Sequence, residues 1–390
     1  MQQDTAQPHL SPRSGRVNRG ARQCHRAVIQ HLDLTFTVTI RHYLACSFSG
    51  KYLRRSFPSY TPNTNTTTTA HTMAHPGTLH KYNKKLVAFE HARPDSSTSP
   101  SNPHILIWIG GLGDGLLTVD YTTSIASALP PSWSLAEVLL RSSYNGWATG
   151  RLSRDARELG ECIEYFKALR RGAKVVLMGH STGCQDIMEY LVGRDAKKLP
   201  QIDGAILQGS VSDREAWGDA LESGEGREAF ERIVATAKRM IDEGDEKGIV
   251  PTKDNMVADE LGAPISAYRT YSLLAKGGDD DYFSTDLGDG VLGNTFGRIP
   301  GGTAVCFLLG SEDPFVLKGV DRKALLERWT RIIREGGGVV DDVNGGLVEG
   351  GHHNLNGDPE EVVQDLVKRV VGFVSGLDKD RESGVDASRL

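Results

Sequence analysis

The sequence predicts an α/β fold in which a mostly parallel central sheet carries helices on both faces. Two observations predict it. Apolar runs of strand length alternate with helix-length segments from Lys85 to Leu377, the pattern of a sheet buried on both sides. One run, Lys174-Val175-Val176-Leu177-Met178, leads straight into Gly179-His180-Ser181-Thr182-Gly183 and then into helical register over residues 185–192. Strand, G-x-S-x-G, helix is the setting of a nucleophile elbow. Its turn is so tight that the positions two before and two after the serine must lack a bulky Cβ, hence Gly179 and Gly183. The turn projects the Ser181 hydroxyl off the carboxyl end of the strand. It also sets the amide of Thr182 at a helix start, where it faces any anion forming there.

Taken in order, residues 85–90 read as a first strand. Residues 104–109 read as a buried strand that ends in the loop Gly110-Gly111-Leu112-Gly113-Asp114-Gly115. A helix over 119–129, a strand over 134–140 and an amphipathic helix over 152–171 follow. The last has the one-sided stripe Leu159, Cys162, Ile163 and Phe166. After the elbow, 202–209 is a further strand. The alternation breaks at 213–300, where helical segments such as 227–243 mix with glycine-rich loops. An insertion placed here is read as a cap or lid, with Trp217, Met240, Met256, Tyr268, Tyr271, Tyr282 and Phe283 as core or pocket material. Within it Asp279-Asp280-Asp281 reads as a solvated loop, or as an acidic rim suited to a cationic substrate. Strand signal returns at 303–309. A helix at 322–335, a closing strand at 346–349 and a last helix at 359–377 complete the domain.

A chain of 390 residues holds one large α/β domain or two ordinary ones. The segment 1–72 does not belong to the alternating pattern. Residues 1–73 hold nine lysines and arginines against two acids, and the low-complexity run at 61–69 lies among them. We read 1–72 as a disordered or artefactual basic extension, 73–380 as the domain with its cap at 213–300, and 381–390 as a tail. A mitochondrial transit peptide is the alternative for the extension, and the alternation of Leu34, Phe36, Val38 and Ile40 is its one strand-like stretch. Protein beginning at Met73 is expected to match the full chain in melting temperature and turnover, because so little apolar surface cannot offset the ordering entropy of ~1–2 kcal/mol per residue.

The net charge of −5 leaves the body beyond residue 73 acidic, which gives no reason to expect nucleic-acid binding. No apolar run approaches the ~20 residues that cross a bilayer. The five cysteines are odd in number and lack metal-ligand spacing. Buried thiols and a reducing, cytoplasmic setting fit them better than disulfides.

A serine hydroxyl needs a base to act as nucleophile near neutral pH, and the base needs an orienting acid. On the α/β-hydrolase fold the order is Ser, acid, His, and both later members stand in place. Asp313, in Gly310-Ser311-Glu312-Asp313-Pro314, follows a buried strand and so reaches the sheet edge that carries Ser181. Glu312 is its nearest substitute, and an Asp-Pro turn is the plain alternative. In Gly350-Gly351-His352-His353-Asn354 we choose His353 as base over its neighbour His352, since only one of two adjacent side chains can point at Ser181. His180 should point away from the nucleophile and pack or bond locally. The oxyanion hole needs two amides: Thr182, and Gly111 or Leu112 from the glycine loop. The rival reading of that loop, a dinucleotide cradle, fails on glycine spacing and on Arg141, which stands where an acid should end the next strand. No cofactor is expected.

These residues together resemble a fungal family of α/β-hydrolase-like proteins that includes siderophore esterases cleaving fusarinine-type ester-linked hydroxamates. The resemblance spans about 77–377. It rests on Leu79-His80-Lys81-Tyr82 with 86–90, on the loop 110–115, on Gly179 to Gly183, on Asp280-Asp281-Tyr282-Phe283-Ser284, on Ser311 to Pro314 and on 351–355. It implies an α/β-hydrolase fold with a cap. It also implies a serine ester hydrolase acting on a small-molecule ester such as a hydroxamate siderophore inside the cell. An esterase or thioesterase for another fungal secondary metabolite, and a non-catalytic binding protein on the same fold, are the alternatives. Labelling of Ser181 by a fluorophosphonate separates the last from the others.

Overall fold

Among the described residues (74–93, 102–251 and 255–384 of a computed structural model), nine strands form one sheet. β1 (Gly77–His80) and β2 (Ala88–His91) make its antiparallel edge, with β2 pairing onward to β4 (Trp133–Val138). From β4 the order runs through β3 (His104–Ile109), β5 (Val175–His180), β6 (Gly204–Gln208) and β7 (Ala304–Gly310), all parallel. β8 (Val339–Val340) and β9 (Gly346–Val348) pair in turn with the start and the end of β7.

Successive side chains of a strand face opposite ways, so a strand buried on both sides must be apolar throughout. Ile105, Ile107 and Ile109 join one core with α2 (Leu152–Leu169), α3 (Gly183–Val192) and α9 (Arg322–Glu335). Leu106 and Trp108 join the other, with α1 (Tyr121–Ala128) and α10 (Glu360–Gly384). Because the central strands are parallel, their carboxyl ends share one edge. That edge receives Ser181 after β5, Asp313 after β7 and His353 after β9.

Between β6 and β7 lie α4 (Gly218–Glu222), α5 (Gly224–Asp242), α6 (Met256–Leu261), α7 (Ala267–Leu274) and α8 (Asp289–Gly293). This insertion is divided. Phe230, Ile233, Val257, Ile265 and Leu273 form a separate apolar cluster with Trp147, against which Trp217, Met240, Met256 and Tyr271 pack. Tyr282, Phe283 and Phe296 instead join the main core beside Trp329.

Several expectations need correction. The strand expected first, over 85–90, is β2 at Ala88–His91, and β1 precedes it. In β1 only His80 is buried, so the strand has no apolar signal and exists through its pairing to β2. The two-residue β8 is equally silent. The last helix runs to Gly384, past the expected end at 377. In the run Asp279-Asp280-Asp281, read as a solvated loop, Asp279 is exposed but the other two side chains are buried. Asp280 is buried on Arg269 Nη1, with both carboxylate oxygens at 2.7–2.8 Å, and the Asp281 side chain is 1% exposed beside Arg214. A guanidinium brought from α7 makes that burial possible, and spacing along the chain does not reveal it. The extension 1–72, its stretch from Leu34 to Ile40, and 385–390 lie outside the described residues.

Candidate active site

Ser181 sits between β5 and α3 with φ of +53°, a left-handed conformation that is uncommon for a residue bearing a Cβ and marks a turn held by its surroundings. Its amide donates to Gln208 O at 3.0 Å. A Cβ at Gly183 would lie 2.4 Å from Ile109 O, so the helix start can approach β3 only because that position is glycine. The glycine loop passes over the same turn. A Cβ at Gly111 would meet Ser181 Cβ at 2.7 Å.

Asp313 is fully buried, and its Oδ2 accepts from His353 Nδ1 at 2.8 Å. Oδ1 accepts from the Phe315 amide at 3.0 Å. Burial alone would raise this carboxyl, but the charge and hydrogen bond of His353 and the Phe315 amide together hold it below its ordinary value. An ionised carboxylate only accepts, so Nδ1 carries the proton and Nε2 is left as the basic nitrogen. Phe315 and His180 flank the ring at 4.6 and 4.9 Å between centroids. The ring also lies against Gly209, next in the chain to the residue that binds the Ser181 amide. His352 goes elsewhere. Its side chain is 59% exposed and pairs with Asp358 at 2.7 Å, against 13% exposure for His353.

Of the two loop amides proposed for an oxyanion hole, Gly111 is already committed, donating to Asp114 Oδ2 at 2.8 Å. Among the described residues the amides of Leu112 and Thr182 have no such partner. The short polar side chain of Asp114 therefore occupies the Gly111 amide and leaves that of Leu112 without such a partner.

Three residues not singled out from the sequence hold this arrangement. Gln208 Oε1 accepts from Tyr121 Oη at 2.8 Å and from His180 Nδ1 at 2.6 Å, while its Nε2 donates to His353 O at 2.9 Å. Glu137 is buried beneath the glycine loop and takes the Leu117 amide, Thr122 Oγ1 and His91 Nε2 at 2.7–3.0 Å. Asn356 accepts from the Asp120 amide at 3.0 Å and donates to Thr118 O at 3.2 Å, tying the histidine loop to the glycine loop. A polar residue ending or interrupting an otherwise apolar strand, as Gln208 and Glu137 do, is the signal that could have found two of them. His180 makes the expected local hydrogen bond, to Gln208, and its ring lies 4.9 Å from that of His353. Burial first, then the neighbouring His353, push it down to about 4, so a neutral imidazole stands behind His353.

A cavity of about 350 Å³ opens beside the elbow, with Leu112, Trp147, Asp155, Thr182, Asp186 and Arg269 in its wall. A second, of about 230 Å³, adjoins Phe315 and is lined by Ser212, Phe283, Leu317 and Trp329. The first is unusual in its charge. Burial, offset in part by Arg154, raises Asp155 to about 6, and burial followed by Asp155 raises Asp186 well above its ordinary value. An aspartate in the unfolded chain titrates near 3.9, so above about pH 4 the unfolded state releases a proton that folded Asp186 retains. The parent therefore loses stability as pH rises through that window. Asp186→Asn is expected to melt with the parent at about pH 4 and progressively above it toward about pH 8. Paired melting curves test this, and a margin that is constant or shrinks with pH would overturn it.

The chain is 35% identical over 349 residues to the fusarinine C esterase sidJ of Aspergillus fumigatus, covering 78% of this chain and 97% of that protein. The solved siderophore hydrolase EstB from Aspergillus fumigatus superposes with a TM-score of 0.69 at 34% identity, covering 79% of this chain and 99% of that one. An α/β-hydrolase fold protein of unknown function superposes with a TM-score of 0.51 at 18% identity over 80% of this chain and 98% of that one, a likeness of fold alone. The sheet order, the helices on both faces and these likenesses make the fold that of an α/β hydrolase. Residues 69–375 match the family described as "Protein of unknown function (DUF1749)", and the chain belongs to that family.

Proposed function

We propose that this chain is a carboxylic ester hydrolase that uses Ser181 as nucleophile, His353 as base and Asp313 as the group orienting the base. The observation that carries the reading is the 2.8 Å hydrogen bond from His353 Nδ1 to buried Asp313, made at the sheet edge where the elbow presents Ser181. Ser181 Oγ attacks the ester carbonyl as His353 Nε2 takes its proton. Asp313 stabilises the imidazolium without itself being protonated. The oxyanion forms against the amides of Leu112 and Thr182, where losing one donor typically costs about 10²–10³ in rate. His353 then protonates the departing alcohol, and water, activated by the same nitrogen, releases the acid from the acyl-enzyme. No step needs a cofactor.

The substrate class comes from the relatives. One is named a fusarinine C esterase and one a siderophore hydrolase, and we propose an ester-linked hydroxamate siderophore for this chain. Cys162, Cys184 and Cys306 are buried free thiols, which supports a reducing compartment, and we propose the cytoplasm. We propose the segment between β6 and β7 as the cap over the site, and a dispensable role for residues 1–72. The test is incubation of purified protein with fusarinine C. Linear fusarinine fragments, each gaining one water per bond cut, are expected by mass spectrometry. Intact fusarinine C alongside hydrolysis of p-nitrophenyl acetate would reject the siderophore and keep the esterase.

A further inference from the structure

The loop that carries the Leu112 amide is gripped by an exposed residue that the core does not need. Tyr144 opens the short turn Tyr144–Thr149 with φ of +52°, a left-handed backbone that is costly for a residue bearing a Cβ. The residue is 46% exposed, so burial does not offset that strain. An outlier of this kind persists because its surroundings impose it, and it directs attention to what it holds.

What Tyr144 holds is the glycine loop. Its amide donates to Asp114 O at 2.7 Å, and its hydroxyl accepts from the Leu116 amide at 3.0 Å. Between these two bonds the ring lies so close to Gly115 that a Cβ there would stand 2.0 Å from Tyr144 Cε1. Three consecutive loop residues are thus fixed by one side chain and its amide. The grip passes on to the start of the loop. Asp114 takes the Gly111 amide on Oδ2 at 2.8 Å, and its own amide donates to Gly111 O at 3.2 Å. Leu112 lies inside that closed stretch.

The clamp has a firm support. Trp147, in the same turn, belongs to the apolar cluster formed by the segment between β6 and β7. Ala148 O accepts from the Ser266 amide, at the start of α7, at 3.0 Å. On the other side of the loop Glu137 takes the Leu117 amide at 2.7 Å, so Tyr144 and Glu137 hold neighbouring stretches.

We propose that Tyr144 is a positioning residue for the oxyanion hole, keeping the Leu112 amide in place through Asp114, Gly115 and Leu116. The inference rests on the esterase reading above. Tyr144 itself touches neither the ester nor the reacting atoms. It fixes the donor before charge develops on the carbonyl oxygen, and a group misplaced by about 1 Å forfeits about 10²-fold in rate. The amide matters most in the transition state, so the loss falls on kcat rather than KM.

The full-length protein is assayed with p-nitrophenyl acetate and with 1,1,1-trifluoroacetone as inhibitor. The carbonyl carbon of that ketone takes Ser181 Oγ, its oxygen becomes the oxyanion, and the serine proton passes to His353. Tyr144→Ala is expected to lower kcat about 10²-fold with KM within about threefold, and to weaken the inhibition by the same factor as kcat. Tyr144→Phe keeps the ring on Gly115 and loses one hydrogen bond, for a drop of about tenfold or less. Tyr144→Gly relieves the left-handed backbone and should melt above Tyr144→Ala while losing as much turnover; turnover that recovers with melting temperature marks a structural role and overturns the proposal. Parental kcat in folded Tyr144→Ala, or a lower kcat with unaltered inhibition, overturns it too. Should Tyr144→Ala fail to fold, Gly115→Ala decides, since the added methyl displaces the ring: parallel losses in kcat and inhibition support the clamp, and parental values reject it. Ser181→Ala separates the two readings. Turnover persisting there rejects the esterase mechanism and the clamp with it, whereas Ser181-dependent turnover indifferent to Tyr144 rejects the clamp alone.

Discussion

Ser181→Ala is expected to lower kcat by about 10⁶-fold, because nucleophile, base and acid act as a unit and losing the nucleophile disables all three. The substitution removes one oxygen and leaves the turn intact. Alanine meets the same backbone demand at φ of +53° as serine does, and the amide still reaches Gln208 O. The amides of Leu112 and Thr182 also remain, so a residual rate about 10³–10⁴ above uncatalysed hydrolysis should survive from oxyanion stabilisation and binding. Steady-state turnover of p-nitrophenyl acetate, with circular dichroism to verify folding, reads the result. A folded variant keeping more than about a tenth of the parental kcat would remove Ser181 from the mechanism.

The adjacent histidines should behave in opposite ways. His353→Ala removes both the basic nitrogen and the partner of Asp313, leaving a fully buried carboxyl without its imidazole. Its loss should match that of Ser181→Ala, again about 10⁶-fold. It should also cost stability, since the surviving carboxylate keeps only the Phe315 amide. His352→Ala breaks an exposed pair with Asp358, worth no more than about 1 kcal/mol, and turnover should stay within about tenfold of the parent. The same assays read both variants. Near-parental turnover in His353→Ala with collapse in His352→Ala would reverse the assignment of the base.

The parts of this site that were legible in the sequence are those fixed by chain-local geometry. Gly179, Ser181 and Gly183 declare the elbow because a tight turn needs small residues at set spacings. Asp313 and His353 follow because each stands just past a strand end, and parallel strands bring such ends to one edge. What escaped depends on partners far away in the chain. Gln208 binds His353 across 145 positions, and its place at the end of an apolar strand marks it as unusual without revealing that partner. Asp280 looked solvated because its neighbours are acidic, whereas its environment is set by Arg269 on another element. The strand β1 escaped because pairing with β2, rather than its own composition, makes it a strand. Between Gly111 and Leu112 the sequence left the oxyanion donor open, and the side chain of Asp114, which takes the Gly111 amide, favours Leu112.

The Asn356 and Gln208 ties bear on when the site can exist during folding. Asn356 closes onto Asp120 and Thr118 across 236 and 238 positions, and Gln208 closes onto His353 across 145. Such closures carry a loop entropy that local contacts do not, and they reward the chain only after the strands between them have been placed. His353 is therefore expected to be positioned late, when β6, β7 and β9 are already in register and the first and last helices are docked. Hydrolytic activity is in consequence expected to report on completion of the whole domain.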